Sequence, residues 1–356
     1  HGQGRRAEYE ENGAPPASRK WSTVRTDSLK MICPRDFEEP ARRTLYYMEQ
    51  VRPYVSHGFS RNPLRTPVVM HTENFYSNGL GILAPKRIEI SGLPAINTYA
   101  SPWLKQLAAH EYRHMVQYAN INRSTVKAFS FVLGQQASLL ATGLLPFWFL
   151  EGDATMAETQ LTEFGRGLQP SFTMHYRTAA DELTARRNPD KWFCGSYRDY
   201  VPSHYDLGYQ LVAHSERVYG KYIWDDVARY GSNYPFLLFT TQIALNKYYD
   251  TSTKKLFHQT FGYLKDHWAS LPERDDSATT VAGTGRTYTA YEHPLFLDEN
   301  TLLVLKSDYD RAQRFVRIDL RTGREEHLCY TGAVSSRPVF SNGFVCWTEY
   351  RSTLWE

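Results

Sequence analysis

Residues 101–118 hold the feature that constrains this chain most: two histidines four residues apart with a glutamate beside the first, in His110-Glu111-Tyr112-Arg113-His114. Written as a helix, the segment brings Trp103, Leu107, His110, His114 and Gln117 round at steps of three and four, so both imidazoles leave one face a turn apart. Two neutral ring nitrogens at that spacing can hold one zinc ion. Glu111, one step round the helix, can reach a water on that ion. The other reading of the pair is two solvated or hydrogen-bonded helix residues. A fold that uses the pair for metal must bring in a third protein ligand from elsewhere and leave one position open.

The third ligand has one candidate in a suitable setting. After a long uncharged run comes Pro146-Phe-Trp-Phe-Leu-Glu-Gly-Asp-Ala-Thr155, which reads as the start of a second helix with Glu151 in its first turns. Gly152 and Ala154 are small enough to let this helix lie close against the first. Here the chain resembles the gluzincin metallopeptidases, whose H-E-x-x-H helix is followed by a W-x-x-E-G-x-A helix supplying a glutamate ligand; Trp148, Glu151, Gly152 and Ala154 match it. The resemblance implies Zn2+ held by His110, His114 and Glu151, with Glu111 as the general base of amide hydrolysis. It departs from the thermolysin pattern at Thr155, where that pattern has an acidic residue. Asp153 and Glu158 are the candidates for orienting His114.

A third block, His204-Tyr205-Asp206-Leu207-Gly208, is similar to the tyrosine-x-x-glycine block of gluzincin aminopeptidases. Tyr205 inherits the role of donor to the oxyanion, with His204 as the alternative donor; packing is the other reading in a chain of 25 tyrosines. Residues 77–91 read as an irregular edge, interrupted by glycine and proline until alternation resumes at Arg87. In the zincins the strand before the metal helix commonly forms the sheet edge on which substrate backbone is laid. By that resemblance residues 78–84 would line the cleft, with Asn78, Gly79, Leu80 and Gly81 as substrate-binding candidates. An ordinary surface turn is the other reading.

Elsewhere residues 21–32 read as a strand closed by Pro34, 37–55 as a helix and 67–72 as a strand. Residues 181–187 read as a helix and 188–199 as a loop, followed by helices over 222–230, 237–248 and 252–271. The expected fold class is α+β: a zincin-like metallopeptidase domain with a small N-terminal sheet and a mostly helical C-terminal half. Residues 128–150 carry no charge over 23 positions. Gln135 and Gln136 sit inside that run, and Gly134, Gly143 and Pro146 break it, so it reads as an apolar hairpin packing on the metal helix, with membrane contact as the lesser alternative.

Beyond a polar stretch near 272–286 the period switches to two, in runs at 302–307, 314–320, 325–330 and 343–350 joined by tight turns such as Arg321-Thr-Gly-Arg324. These runs resemble the first blade and the start of a second of a TolB-like β-propeller, a partial all-β segment. One blade cannot close a ring, so the chain is read as part of a longer protein. The domain reading is therefore a disordered lead at 1–20, the peptidase domain at 21–271, a linker at 272–290 and propeller strands at 291–356.

With 42% hydrophobic and 22% charged residues the chain is ordinary globular material. Its net charge of +3, without a block of basic and aromatic residues, leaves nucleic-acid binding no footprint. Cys33, Cys194, Cys329 and Cys346 show no C-x-x-C spacing and read as small buried residues; Cys329 and Cys346 could pair if exported. No basic-then-apolar signal opens the chain. The resemblance implies an exported protein, periplasmic or outer-membrane-associated, of a Gram-negative bacterium. The expected function is a zinc peptidase acting on a peptide or protein, with a protein partner recruited through the propeller. The rivals are a catalytically inactive zincin–propeller binding or assembly module of the bacterial envelope, and a membrane-embedded protease.

Overall fold

The computed structural model describes residues 17–63, 65–73, 77–94, 101–185, 188–272, 279–283, 287–334 and 336–350. The chain is a mixture of helix and strand with several small sheets, compatible with an α+β class. It divides into two compact units: His1–Pro189 with Pro202–Ser270, and Asp190–Val201 with Leu271–Glu356. Residues 1–16 of the expected lead lie outside the described residues. Arg19, near its end, is tied by ion pairs to Asp36 and Glu73 at 2.9 Å each.

The first unit opens with β1 (Trp21–Arg25) and β2 (Leu29–Pro34), an antiparallel hairpin where one continuous strand is expected. The turn chemistry of Thr26-Asp27-Ser28 accounts for the difference. Thr26 N donates to Leu29 O, and Leu29 N donates to the Thr26 hydroxyl, each at 3.0 Å. Helix α1 (Glu38–Val55) follows, burying Ala41, Leu45, Met48, Val51 and Val55 along one face. Then come β3 (Thr66–His71), β4 (Gly79–Leu83) and β5 (Lys86–Ser91). The strands lie in the order β1-β2-β3-β5-β4, with β2, β3 and β5 parallel and the flanking pairs antiparallel. The strand just before the histidine-bearing helix, β5, is therefore interior, its Ile88 and Ile90 fully buried. The edge is formed by β4, the other arm of the hairpin, which falls within the residues 78–84 read as lining a cleft.

Helix α2 (Trp103–Ile121) carries the histidine pair and is buried over most of its length. It is followed by α3 (Ser124–Leu133), α4 (Gln136–Thr142), α5 (Phe147–Leu161), α6 (Ser171–Thr178) and α7 (Ala180–Ala185). The α3–α4 pair is the expected apolar hairpin. It buries Val126, Ala137, Ser138, Ala141 and Thr142 but leaves its tip in solvent, so only part of it packs inward. No helix among the described residues is long and apolar enough to cross a membrane. Arg186 and Arg187, the end of an expected helix, lie outside the described residues.

Helix α8 (Asp190–Cys194) interrupts what reads as a loop at 188–199 and belongs to the second unit. The first unit is completed by α9 (His204–Tyr219), α10 (Ile223–Asn233), α11 (Thr240–Tyr249) and α12 (Thr253–Ala269). Helix α11 starts later than residue 237 because Phe239 sits at φ +60°, a left-handed conformation that cannot continue a helix. Ser252 caps α12 by accepting from Lys255 N at 3.1 Å.

In the second unit β6 (Thr289–Asp298), β7 (Thr301–Asp308), β8 (Arg314–Asp319) and β9 (Glu325–Tyr330) form an antiparallel meander in sequence order. Leu303, Leu305 and Phe315 are buried on one face, and Val304, Val316 and Ile318 on the other. Two short ladders follow, Ala333–Val334 with Glu349–Tyr350 and Val339–Ser341 with Phe344–Cys346. The run at 343–350, expected as one strand, is thus two with different partners. Between them the indole of Trp347 donates to Glu349, and Thr348 N donates to the Ser336 hydroxyl, both at 2.9 Å. The Asp190–Val201 segment is held here by Tyr288 N donating to Arg198 O at 3.0 Å and by the rings of Tyr200 and Tyr288. All four thiols are free, and only Cys33 is buried; the expectation of buried cysteines fails for Cys194, Cys329 and Cys346.

Candidate metal centre

Helices α2 and α5 bring three donors to one point. Oε2 of Glu151 lies 3.3 Å from Nε2 of His110 and 3.5 Å from Nε2 of His114, and the donor atoms of all three residues fall within 4.8 Å of one another. Four-coordinate zinc with bonds of about 2.0–2.1 Å keeps its donors roughly 3.3 Å apart, so the two separations from Glu151 fit a tetrahedral ion. Two imidazoles and one carboxylate are also a donor set that zinc accepts. Burial pushes the Glu151 carboxyl up, but hydrogen bonds to both histidines outweigh it and hold the group well below the usual carboxylate range. Burial likewise depresses His110, and the carboxylates of Glu151 and Glu158 override it, raising the ring to about 9.

Behind the donors stands a second layer that fixes each ring. Oε2 of Glu158 lies 3.0 Å from Nδ1 of His110. Glu158 is fully buried and held by a fork of hydrogen bonds from Arg166, at 2.7 and 2.8 Å, with a further bond from Gln106 at 3.3 Å. Arg166 Nη2 also lies 3.0 Å from that Nδ1, but the carboxylate can only accept, so the tautomer with hydrogen on Nδ1 satisfies it and leaves Nε2 free for metal. For His114 the partner is Gln117, whose Oε1 lies 2.9 Å from Nδ1. The orientation of that amide is determined. Its NH2 donates to Asp153 at 2.6 Å and to the Leu150 carbonyl at 2.9 Å, both acceptors, so its oxygen must face His114 and Nδ1 must donate. Asp153 is in turn gripped bidentately by Arg113, at 2.7 and 2.6 Å, whose remaining nitrogen donates to the carbonyls of Val55 and His57.

The two candidates for orienting His114 therefore act differently from expectation. Glu158 orients His110, and Asp153 reaches His114 only through Gln117. The two residues bonded to the rings had a legible signal: Gln117 lies three residues past His114 on the same face, and Glu158 lies two turns past Glu151. Arg166, beyond the end of α5, had none.

Glu111 is buried beside the donors, and burial lifts its pKa against the opposing pull of His110 and His114. The edge strand β4 runs directly over this part of α2. A Cβ added at Gly79 would lie 2.7 Å from Oε1 of Glu111, and one at Gly81 would lie 2.8 Å from Cβ of His114. Only glycine permits that approach. The Tyr118 hydroxyl ties the strand down by donating to Gly81 O at 3.0 Å. Leu80 between the glycines is exposed, and Asn78, at the strand's start, accepts from Gly79 N at 3.0 Å.

Tyr205 arrives from the third helix. Ser203 and Asp206 form a capping box that starts α9 at His204. That helix crosses α5 backbone to backbone at Gly208 and Gly152: a Cβ on Gly208 would overlap the Trp148 carbonyl, and one on Gly152 would overlap Gly208. The crossing sets Tyr205, one turn earlier, with its ring 6.3 Å from that of His110 and 5.1 Å below the guanidinium of Arg166. Burial, then the charge of Glu151, raises its hydroxyl pKa, so it stays a proton donor. His204 packs beside it, 4.6 Å between rings, with Phe147 on its other side at 4.4 Å. His110, Glu111, His114, Glu151, Tyr205 and the Gly79–Gly81 strand thus converge. No protein-family model matches the chain, and no curated protein matches it.

Proposed function

We propose that this protein is a zinc-dependent peptidase of the gluzincin type, its first unit a zincin-like domain. The observation that carries the reading is the convergence of His110, His114 and Glu151 at tetrahedral spacing beside a buried glutamate. When bound, a zinc ion would supply Lewis acidity and lower the pKa of its water from 15.7 to about 7. The chain's own residues do the rest. Peptide backbone adds to the open edge of β4, which brings a scissile carbonyl over Glu111. Glu111, its proton affinity raised by burial, takes the proton of the attacking water and returns it to the leaving amine. Tyr205 donates to the oxygen that gains charge as the carbonyl becomes tetrahedral. Glu158 and Gln117 keep both imidazoles on the productive tautomer.

In the second unit the four-stranded meander has the form of one β-propeller blade, and we read it as a platform for a protein partner in the bacterial envelope. The retention of Glu111 favours the peptidase over an inactive assembly module.

Zinc analysis together with chelator-sensitive cleavage of a quenched peptide library tests the reading. Glu111→Gln keeps its zinc and loses about 10² to 10⁴-fold in turnover; full activity in that variant sinks the mechanism. Glu151→Ala loses zinc, and an unchanged zinc stoichiometry removes the third ligand from the proposal.

A further inference from the structure

Two charge-free stretches of the first unit, residues 128–150 and 230–246, end in apolar tips that meet on the surface. The first tip is the turn of the α3–α4 hairpin, where Phe131 and Val132 are 83% and 84% exposed and Leu140 stands beside them in solvent. The second is the loop before α11, where Phe236 and Phe239 are 75% and 77% exposed and Leu238 is open as well. They are neighbours: the rings of Phe129 and Phe236 pack edge to face at 5.1 Å, and the Thr125 hydroxyl donates to Asn233 O at 3.0 Å. A patch of this kind is not what a free surface carries by default.

We propose that these two tips form a monotopic docking surface for an anionic lipid bilayer, inserted to headgroup depth without crossing it. Charge complementarity selects that occupant. Neither run holds a carboxylate from Ala128 to Leu150 or from Tyr230 to Asn246, and the acidic residue that ends the first, Glu151, is buried at the metal centre. The residues that border the tips are cations. Lys127 lies one turn before Phe131, and Lys247 lies seven residues along α11, roughly 10 Å above its start at 1.5 Å per residue. The first carboxylate beyond the second run is Asp250, at the far end of α11. Apolar tips flanked by the exposed Lys127 and Lys247 match the layering of an anionic membrane surface.

Backbone conformation supplies an independent sign. Phe239 is held at φ +60°, a region that bulky L-residues avoid, and its ring stands in solvent. At Gly134, the turn of the other tip, an added Cβ would meet nothing within 4 Å, so that turn has open space around it.

The test uses the full chain loaded with zinc and sedimented with vesicles of phosphatidylglycerol or of phosphatidylcholine. Binding to phosphatidylglycerol vesicles is expected, weakened by raised salt, and reduced roughly tenfold or more in Phe131→Ser/Phe236→Ser, which alters only exposed side chains and leaves zinc content unchanged. Hydrogen exchange of the unaltered protein gives a second readout: vesicles should protect residues 129–140 and 234–239. Sedimentation that the double substitution does not change, or absence of binding to either lipid, overturns the proposal. So does a lipid-free dimer that the double substitution dissolves, since the surface would then belong to a second copy of the chain.

Discussion

Glu158 shows how much of the candidate centre rests on a residue outside the three donors. Its carboxylate, held at about 2 although burial alone would raise it, fixes the His110 tautomer. Glu158→Gln should therefore cost roughly 10 to 100-fold in zinc affinity, read by competition with a chelator, while leaving the fold intact. A second prediction concerns Glu216. Burial, then repulsion from Asp153, raises its carboxyl from 4.5 to about 7. The folded state holds this proton more tightly than the unfolded chain, so the group costs nothing below pH 4.5 and destabilises increasingly as pH rises through 7. Glu216→Gln should melt above the parent protein at alkaline pH and with it in acid; equal melting curves at alkaline pH would remove the argument. Of the centre's residues, the sequence makes the histidine pair, Glu111 and Glu151 legible, because helical spacing and short motifs encode them locally. The link from Gln117 to Asp153 was not, since it depends on which helix faces turn toward each other.

At the level of elements, the positions that set the site's dimensions are glycines. Gly208→Ala places a methyl group into the Trp148 carbonyl and must push α9 off α5, at a cost of about 1–3 kcal/mol for overpacking. Because Tyr205 rides on α9, turnover should fall with the melting temperature, whereas zinc binding through α2 and α5 should persist. Gly81→Val would press β4 away from His114, and the expected signature in peptide kinetics is a raised KM. The long helices were readable from periodicity: α1 and α12 lie within a residue or two of their expected bounds, and α2 runs three residues past the 118 at which the histidine stretch was read to end. The hairpins were not. Thr26-Asp27-Ser28 turns the chain inside an apparently continuous strand, and β4 and β5 share a stretch that glycine and proline made look irregular. In both cases turn chemistry overrode alternation.

For the molecule as a whole, nothing in composition or periodicity signals that Asp190–Val201 leaves the first unit to join the second. Its membership is set by long-range contacts such as Tyr200 on Tyr288, which no local pattern encodes. A chain truncated after Leu271 should keep its zinc, because every donor lies in the first unit, yet become sensitive to protease within residues 190–201. Resistance there would show that the segment is held without its partners. The backbone passes between the two bodies at Pro189, at Val201 and again at Ser270. Any transplant of the C-terminal strands onto another scaffold would have to carry that twelve-residue strip with it, or rebuild the surface it covers. The chain thus crosses between the two bodies three times, and recombination at a single seam cannot part them cleanly.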